Sequence, residues 1–267
     1  QREENNRKNF NFCSATSSKE ATKLASGRSV FLAGGMTLIP AVKHRFAAYS
    51  NIIDIKKIKS LSGIKVSSKS LRIGATTKHA EVAASKEVKK SISSLAGLAE
   101  GIGDPQVRNR GTIGGSIANN DPAADYPSAC LALNGTIHTN SRKIQAGKFF
   151  TGIFETSLKK GELIEAVEFE VPEKSGYGKF PNPASRYAVV GVYVAKYKND
   201  VRVAITGAGS CVFRSKELES ALSKNFSTSA IDNTNISSKG LNSDIHASAD
   251  YRAHLIKIMA KKAVSNC

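Results

Sequence analysis

Gly101-Ile-Gly-Asp-Pro-Gln-Val-Arg-Asn-Arg-Gly-Thr-Ile-Gly-Gly-Ser-Ile-Ala-Asn-Asn-Asp-Pro-Ala-Ala-Asp-Tyr-Pro127 gathers five glycines, two arginines and three aspartates into one segment. Such a stretch is poor at building a core and reads as irregular chain. Glycine reaches positive φ and lets the backbone approach another group closely. Successive N–H groups in turns of this kind form concavities that hold anions. A shorter run, Leu32-Ala-Gly-Gly-Met-Thr-Leu-Ile39, has the same character. Two separated glycine turns point to a ligand with two phosphates, gripped from two sides.

The 267 residues suffice for a sizeable core and two or three subdomains. No apolar run approaches the roughly 18 residues of a membrane span. The first eleven residues are polar and charged, unlike a signal peptide. Cys13, Cys130, Cys211 and Cys267 are far apart and form no CxxC pair. An iron–sulfur or zinc site in this chain and a disulfide framework are therefore both disfavoured. The chain reads as cytoplasmic, with the inner face of the membrane as a peripheral alternative. Its net charge of +17 is spread along the whole sequence, which lacks Trp and any nucleic-acid-binding signature. A solvated lysine-rich surface is the expectation, with no nucleic-acid partner.

Outward from the glycine turns, the periodicity predicts a helix over 17–25 with Ser17 and Glu20 as a capping box. A strand over 30–32 should run into Gly34-Gly35, followed by a helix over 38–45 and a strand over 52–55. That unit puts the glycine pair where a strand ends. Further strands are expected over 71–73, 135–138 and 167–171. Helices are expected over 76–84 (capped by Thr76), 88–99 and 126–133. The Gly/Pro-rich stretch 172–183 reads as a linker. Beyond it, strands over 187–197 and 201–206 flank a turn at Asn199-Asp200. Helices are expected over 214–222 and 251–264, and a loop over 223–238.

Ala33-Gly-Gly-Met-Thr-Leu-Ile-Pro40, Gly103–Ser116 and Asp121-Pro-Ala-Ala-Asp-Tyr-Pro127 resemble the FAD-binding medium subunit of molybdenum hydroxylases, the carbon monoxide dehydrogenase and xanthine dehydrogenase family. Pro183-Ala-Ser-Arg-Tyr-Ala-Val-Val-Gly191 and Leu241-Asn-Ser-Asp-Ile-His-Ala-Ser248 extend the resemblance to nearly the whole chain. It implies an α+β chain with a vanillyl-alcohol-oxidase-type FAD-binding fold. Two α/β subdomains, 1–56 and 57–173, would clamp FAD. A C-terminal domain of antiparallel strands and helices, 174–267, would follow. It also implies a large molybdenum-cofactor subunit and a small iron–sulfur subunit, assembled as a dimer of heterotrimers. Electrons would pass through the small subunit's [2Fe-2S] clusters to the FAD and then to an external acceptor.

The resemblance carries cofactor roles onto particular residues. Leu32, Ala33, Gly34, Gly35, Met36 and Thr37 match the first diphosphate-binding turn, and Thr112, Ile113, Gly114, Gly115 and Ser116 the second. Neither turn fits GxGxxG, which disfavours a Rossmann site. Asp125 matches a carboxylate near the adenosine ribose; a helix N-cap is the alternative. Asp121, before a proline, reads as a turn residue. Ile102 and the weaker match Ile164 would pack near the flavin or adenine, or simply in the core. Asn182 falls where some relatives carry a lysine directed at the flavin, and Lys179 is nearby. Tyr187 would lie against the flavin or in the core. Arg108 and Arg110 would meet phosphate, anchor their loop or face a partner. The histidines lack metal-ligand spacing, and His79 reads as structural or interfacial. No catalytic nucleophile or metal site is expected. A stand-alone NAD(P)H-dependent FAD reductase on the same fold is the alternative function.

Overall fold

Ser17 accepts the N–H of Glu20 (3.1 Å), and the Glu20 carboxylate reaches back to the Thr16 N–H (2.7 Å). These reciprocal bonds start the first helix. In the computed structural model, which describes residues 10–267, the chain opens with β1 (Asn11–Ser14), α1 (Ser18–Leu24), β2 (Ser29–Leu32), α2 (Leu38–Lys43) and β3 (Asn51–Asp54). The strands form a parallel sheet in the order β1-β3-β2, with Asn11 opposite Asn51 and Ser29 opposite Asn51. No sequence signal marks β1; its partner lies 40 residues away. Ala15, Ala21, Ile53, Ile55, Ile58 and Leu61 close a small core, which Leu163 joins.

The next unit contains β4 (Ile64–Val66), β5 (Ser70–Gly74), α3 (His79–Ala84), α4 (Lys86–Ser91), α5 (Ser93–Glu100), α6 (Pro105–Arg108), α7 (Ile113–Asn119) and α8 (Tyr126–Ala132). It continues with β6 (Thr136–Thr139), β7 (Lys143–Gln145), β8 (Phe150–Gly152), β9 (Glu155–Thr156) and β10 (Ile164–Glu170). An antiparallel sheet runs β4-β5-β10-β6-β7, and its core includes Leu71, Ile73, Leu95, Ile117, Val167 and Phe169. The expected helix over 88–99 is broken at Ile92, whose φ of −144° is extended. The helix expected from Thr76 starts after Lys78, whose N–H bonds the Glu81 carboxylate (2.8 Å).

The glycine-rich segment is not irregular throughout: it carries α6 and α7. Asp104 accepts the Val107 N–H (2.8 Å) with Pro105 in the first helical position, and Thr112 accepts the Gly115 N–H (3.2 Å). Two local caps thus start helices that glycine content alone argues against.

The last unit comprises β11 (Lys174–Pro181), β12 (Ala188–Lys196), β13 (Val201–Thr206), β14 (Phe213–Arg214), α9 (Lys216–Lys224), α10 (Thr228–Asp232) and α11 (Ala249–Ser265). Its antiparallel sheet runs β11-β12-β13-β14, with α11 packed on β11 and β12. The expected linker over 172–183 is therefore mostly strand. Gly176 and Gly178 sit directly against the α11 carbonyls of Ala263 and Met259, where any side chain would collide. The expected loop over 223–238 contains α10.

Glu162, before β10, is buried and ties the β6–β7 turn to the sheet. It accepts from Arg142 Nε (2.8 Å) and Nη2 (2.9 Å), Thr139 Oγ1 (2.8 Å) and the Lys159 N–H (2.7 Å). The Arg142 bonds lead in holding its carboxyl down at about 2, against an ordinary 4.5. A depressed carboxyl contributes stability above its unfolded pKa and loses it as pH falls through the folded value. The thermal midpoint should therefore drop between pH 4.5 and 2, and Glu162→Gln should flatten that part of a melting series.

Candidate FAD site

The β2 strand ends at Leu32 and the chain turns sharply through Ala33–Thr37 before α2. Gly35 holds φ at +76°, a left-handed value that suits glycine. Gly34 makes the more telling contact. A Cβ there would strike the Arg110 carbonyl oxygen and lie 2.8 Å from its carbon and 2.9 Å from Gly111 Cα. The two glycine loops, 76 residues apart in sequence at Gly34 and Arg110, thus meet backbone to backbone.

Beside that junction lies a cleft of about 590 Å³, a size typical of small-molecule sites. Of the expected residues, Ala33, Gly34, Gly35, Met36, Thr37, Ile102, Thr112, Gly115, Ser116 and Asp125 line it. Among the described residues, the N–H groups of Gly34, Gly35, Met36 and Thr37 have no hydrogen-bond acceptor. Four adjacent amide donors at a cleft wall form a nest suited to an anion. The Thr37 and Ser116 hydroxyls also find no partner among the described residues.

The second loop works differently from the first. Its amides are already engaged: Ile113 N–H to Thr77 O (3.2 Å), Gly114 N–H to Ala75 O (2.8 Å) and Gly115 N–H to Thr112 Oγ1. Ile113 and Gly114 are buried and do not line the cleft. Gly114 is helical, and a Cβ there would lie 2.6 Å from Ala75 Cβ. Its role is close packing of α7 on the residue after β5. Gly114→Val should therefore lower the melting temperature of the ligand-free chain. The overpacking cost is about 1–3 kcal/mol, with loss of FAD as a consequence rather than the cause.

Three other expected residues also stand outside the lining. Leu32 is a buried strand residue of β2, and Ile164 lies in the sheet core opposite Thr139. Asn182 builds a turn: its Oδ1 accepts the N–H of Ala184 (2.9 Å) and Ser185 (3.2 Å). Its Nδ2 faces His246 Nδ1 (3.3 Å).

Asp125 stands at the N-cap position of α8, but its carboxylate does not cap the helix. The residue is 4% exposed. Tyr177 Oη donates to Oδ1 (2.6 Å), and Lys179 Nζ lies 3.0 Å from the carboxylate. Both partners stand on β11. Lys179 also donates to Gly101 O (3.0 Å), so one ammonium fastens two segments of the cleft wall. Burial raises the Asp125 pKa, while the Lys179 charge and the Tyr177 bond pull it back. A carboxylate has about four acceptor sites, which leaves room for hydroxyls from the cleft side. Asp121 accepts the Ala123 N–H (2.9 Å), as a turn residue does, and lines the cleft.

Arg108 anchors its loop by donating to Ile102 O (3.1 Å) and Gly103 O (2.9 Å). Arg110 meets Gly34 through its carbonyl, and its side chain is outside the lining. Tyr187 lines the cleft and is 43% exposed, which rules out the core reading. Arg186, Asn119, Tyr49 and His79 also line it. Asn119 belongs to the glycine-rich segment and Arg186 to the 183–191 stretch of family resemblance, whereas no motif marks Tyr49 or His79. Among the described residues, no group of His, Cys, Asp and Glu could hold a metal ion, and no helix is long and apolar enough to cross a membrane.

Glycine turns, free amides and a ribose-compatible carboxylate around one cleft fit a dinucleotide. The glyceraldehyde dehydrogenase medium chain of Sulfolobus acidocaldarius is 35% identical over 271 positions, covering 95% of this chain and 96% of the relative. The carbon monoxide dehydrogenase medium chain of Hydrogenophaga pseudoflava is 32% identical, covering 88% of this chain and 87% of the relative. A solved structure of carbon monoxide dehydrogenase from that organism superposes with a TM-score of 0.85 at 30% identity, covering 96% of each chain. The α+β architecture, with its antiparallel sheet-and-helix last unit, is thus shared with that structure. The family described as "FAD binding domain in molybdopterin dehydrogenase" matches residues 8–173. With that match and these relatives, the chain belongs to the FAD-binding subunits of the molybdopterin dehydrogenases.

Proposed function

We propose that the chain holds FAD in this cleft and serves as the flavin subunit of a multi-subunit molybdenum hydroxylase. The carrying observation is the run of four unengaged amides, Gly34 to Thr37, at residues that line a cleft also lined by the second glycine loop. These amides would hold the diphosphate, with Thr37 and Ser116 adding hydroxyls. Asp125, braced from behind by Tyr177 and Lys179, would accept ribose hydroxyls. Ile102 and Tyr187 would flank the ring systems. Bound flavin supplies one- and two-electron exchange, and the protein positions it. The division into 1–56, 57–173 and 174–267 follows from this reading, with the first two units facing across the cleft.

On this reading the partners are a large molybdenum-cofactor subunit and a small subunit with [2Fe-2S] clusters, in a dimer of heterotrimers. The relatives' names, medium chains of dehydrogenases, support that assignment. A cytoplasmic complex is the corresponding location. Purification of the tagged chain from its native cells should yield a complex with iron, molybdenum and one FAD per copy. A metal-free chain that turns over NAD(P)H alone would instead establish the stand-alone reductase.

A further inference from the structure

We propose that His79 is a cofactor-binding residue whose Nε2–H donates to the diphosphate between the two glycine loops. The inference rests on the reading that the cleft holds FAD. His79 heads α3, and its backbone N–H is fixed to Gly111 O (3.0 Å). Its ring packs on buried Tyr126, with centroids 5.3 Å apart. The side chain lines the cleft although the residue is only 5% exposed.

The position of Nε2 identifies the ligand group. A Cβ on Gly111 would lie 2.6 Å from Nε2, and a Cβ on Gly34 would lie 2.9 Å from Gly111 Cα. His79, Gly111 and Gly34 are therefore successive layers of one corner of the cleft. That corner holds the Gly34–Thr37 amides, so a group bound there is an anion.

The two ring nitrogens differ. Nδ1 is sealed from solvent with no partner, while Nε2 is not sealed and also has none among the described residues. A neutral imidazole carries one N–H, placed by whichever nitrogen finds an acceptor. A proton on sealed Nδ1 would stay buried and unpaired, whereas one on Nε2 can meet an acceptor in the cleft, so the Nε2–H tautomer is favoured once a ligand is bound. Burial, helped by the nearby Arg108 charge, lowers the His79 pKa from 6.5 to about 4. The ring is thus a neutral donor at pH 7. The cationic side chains nearby are engaged elsewhere: Arg108 with Ile102 O and Gly103 O, Lys179 with Asp125, and Arg186 with Gly103 O (3.3 Å).

The test uses the apo form of the full chain, titrated with FAD and followed by flavin fluorescence. Wild type should bind. His79→Asn, whose amide cannot reach the Nε2 position, should bind about tenfold to a hundredfold more weakly, the value of a hydrogen bond to a charged group. His79→Gln, which places an amide N–H near Nε2, should stay within about threefold of wild type. Ring-¹⁵N NMR of the wild type supplies a readout that needs no variant to fold. Nε2 should carry the proton once FAD or ADP is bound, and its signal should shift on adding either, but not on adding FMN, which lacks the diphosphate. Equal FAD affinity in wild type and His79→Asn, or an Nε2 signal that FAD leaves unmoved, would overturn the role of His79 and leave the flavin reading intact. Failure of wild type to bind FAD would overturn both.

Discussion

Gly34→Ala is expected to weaken FAD binding by at least about tenfold, or about 1.4 kcal/mol, and to lower the melting temperature of the apo chain. The added methyl would occupy the space of the Arg110 carbonyl. Both colliding groups are backbone, so no side-chain rotation relieves the clash and one loop must retreat. The retreat shifts either the amide nest or the Gly111–Thr112 segment that His79 backs. Gly97→Ala is the control. Gly97 lies in α5, and a Cβ added there would meet nothing within 4 Å. Alanine favours the helix by roughly 0.5–1 kcal/mol, so this variant should melt no lower than wild type and bind FAD normally. Fluorescence titration and thermal melts of the two variants side by side separate loop closure from the general effect of losing a glycine.

Lys179→Met should have the second large effect. Asp125 would remain buried without its counterion, and breaking such a pair costs on the order of 3 kcal/mol. Removing the lysine also pushes the Asp125 pKa further up, because the ammonium is the main influence opposing burial. A protonated Asp125 donates one hydrogen bond and loses acceptor capacity toward the cleft. FAD affinity should therefore fall and should improve again as pH rises and the carboxyl ionises. A folded-state pKa raised above the unfolded value also makes the single variant lose stability as pH rises, the reverse of a salt-bridged carboxylate. Lys179→Met combined with Asp125→Asn removes both charges and should recover most of the stability at pH 7. It should not recover affinity. If the double variant binds FAD like wild type, Asp125 has no part in holding the cofactor.

The first glycine turn is legible in the sequence because its chemistry is local: a strand, two glycines and a hydroxyl in six residues. The Thr112 and Asp104 caps are equally local, yet glycine content hides the helices they start. Distance along the chain hides the rest. β1 exists through β3, 40 residues on, and Lys179 meets Asp125 across 54 residues. β11 reads as a linker because its glycines exist for α11, more than 80 residues away. His79 carries no motif, and only its contact with Gly111 brings it to the cleft. Family correspondence assigns Ile164 and Asn182 to positions along the chain but cannot set their direction. Strand register turns Ile164 into the core, and the 182–185 turn consumes the Asn182 amide oxygen.

Amide hydrogen exchange at Gly34, Gly35, Met36 and Thr37, measured with and without FAD, tests the central claim most directly. Bound FAD should slow exchange at these four donors together, because each gains an acceptor it lacks in the protein. Tight FAD binding with unchanged exchange at all four, or no binding by the intact chain, would contradict it.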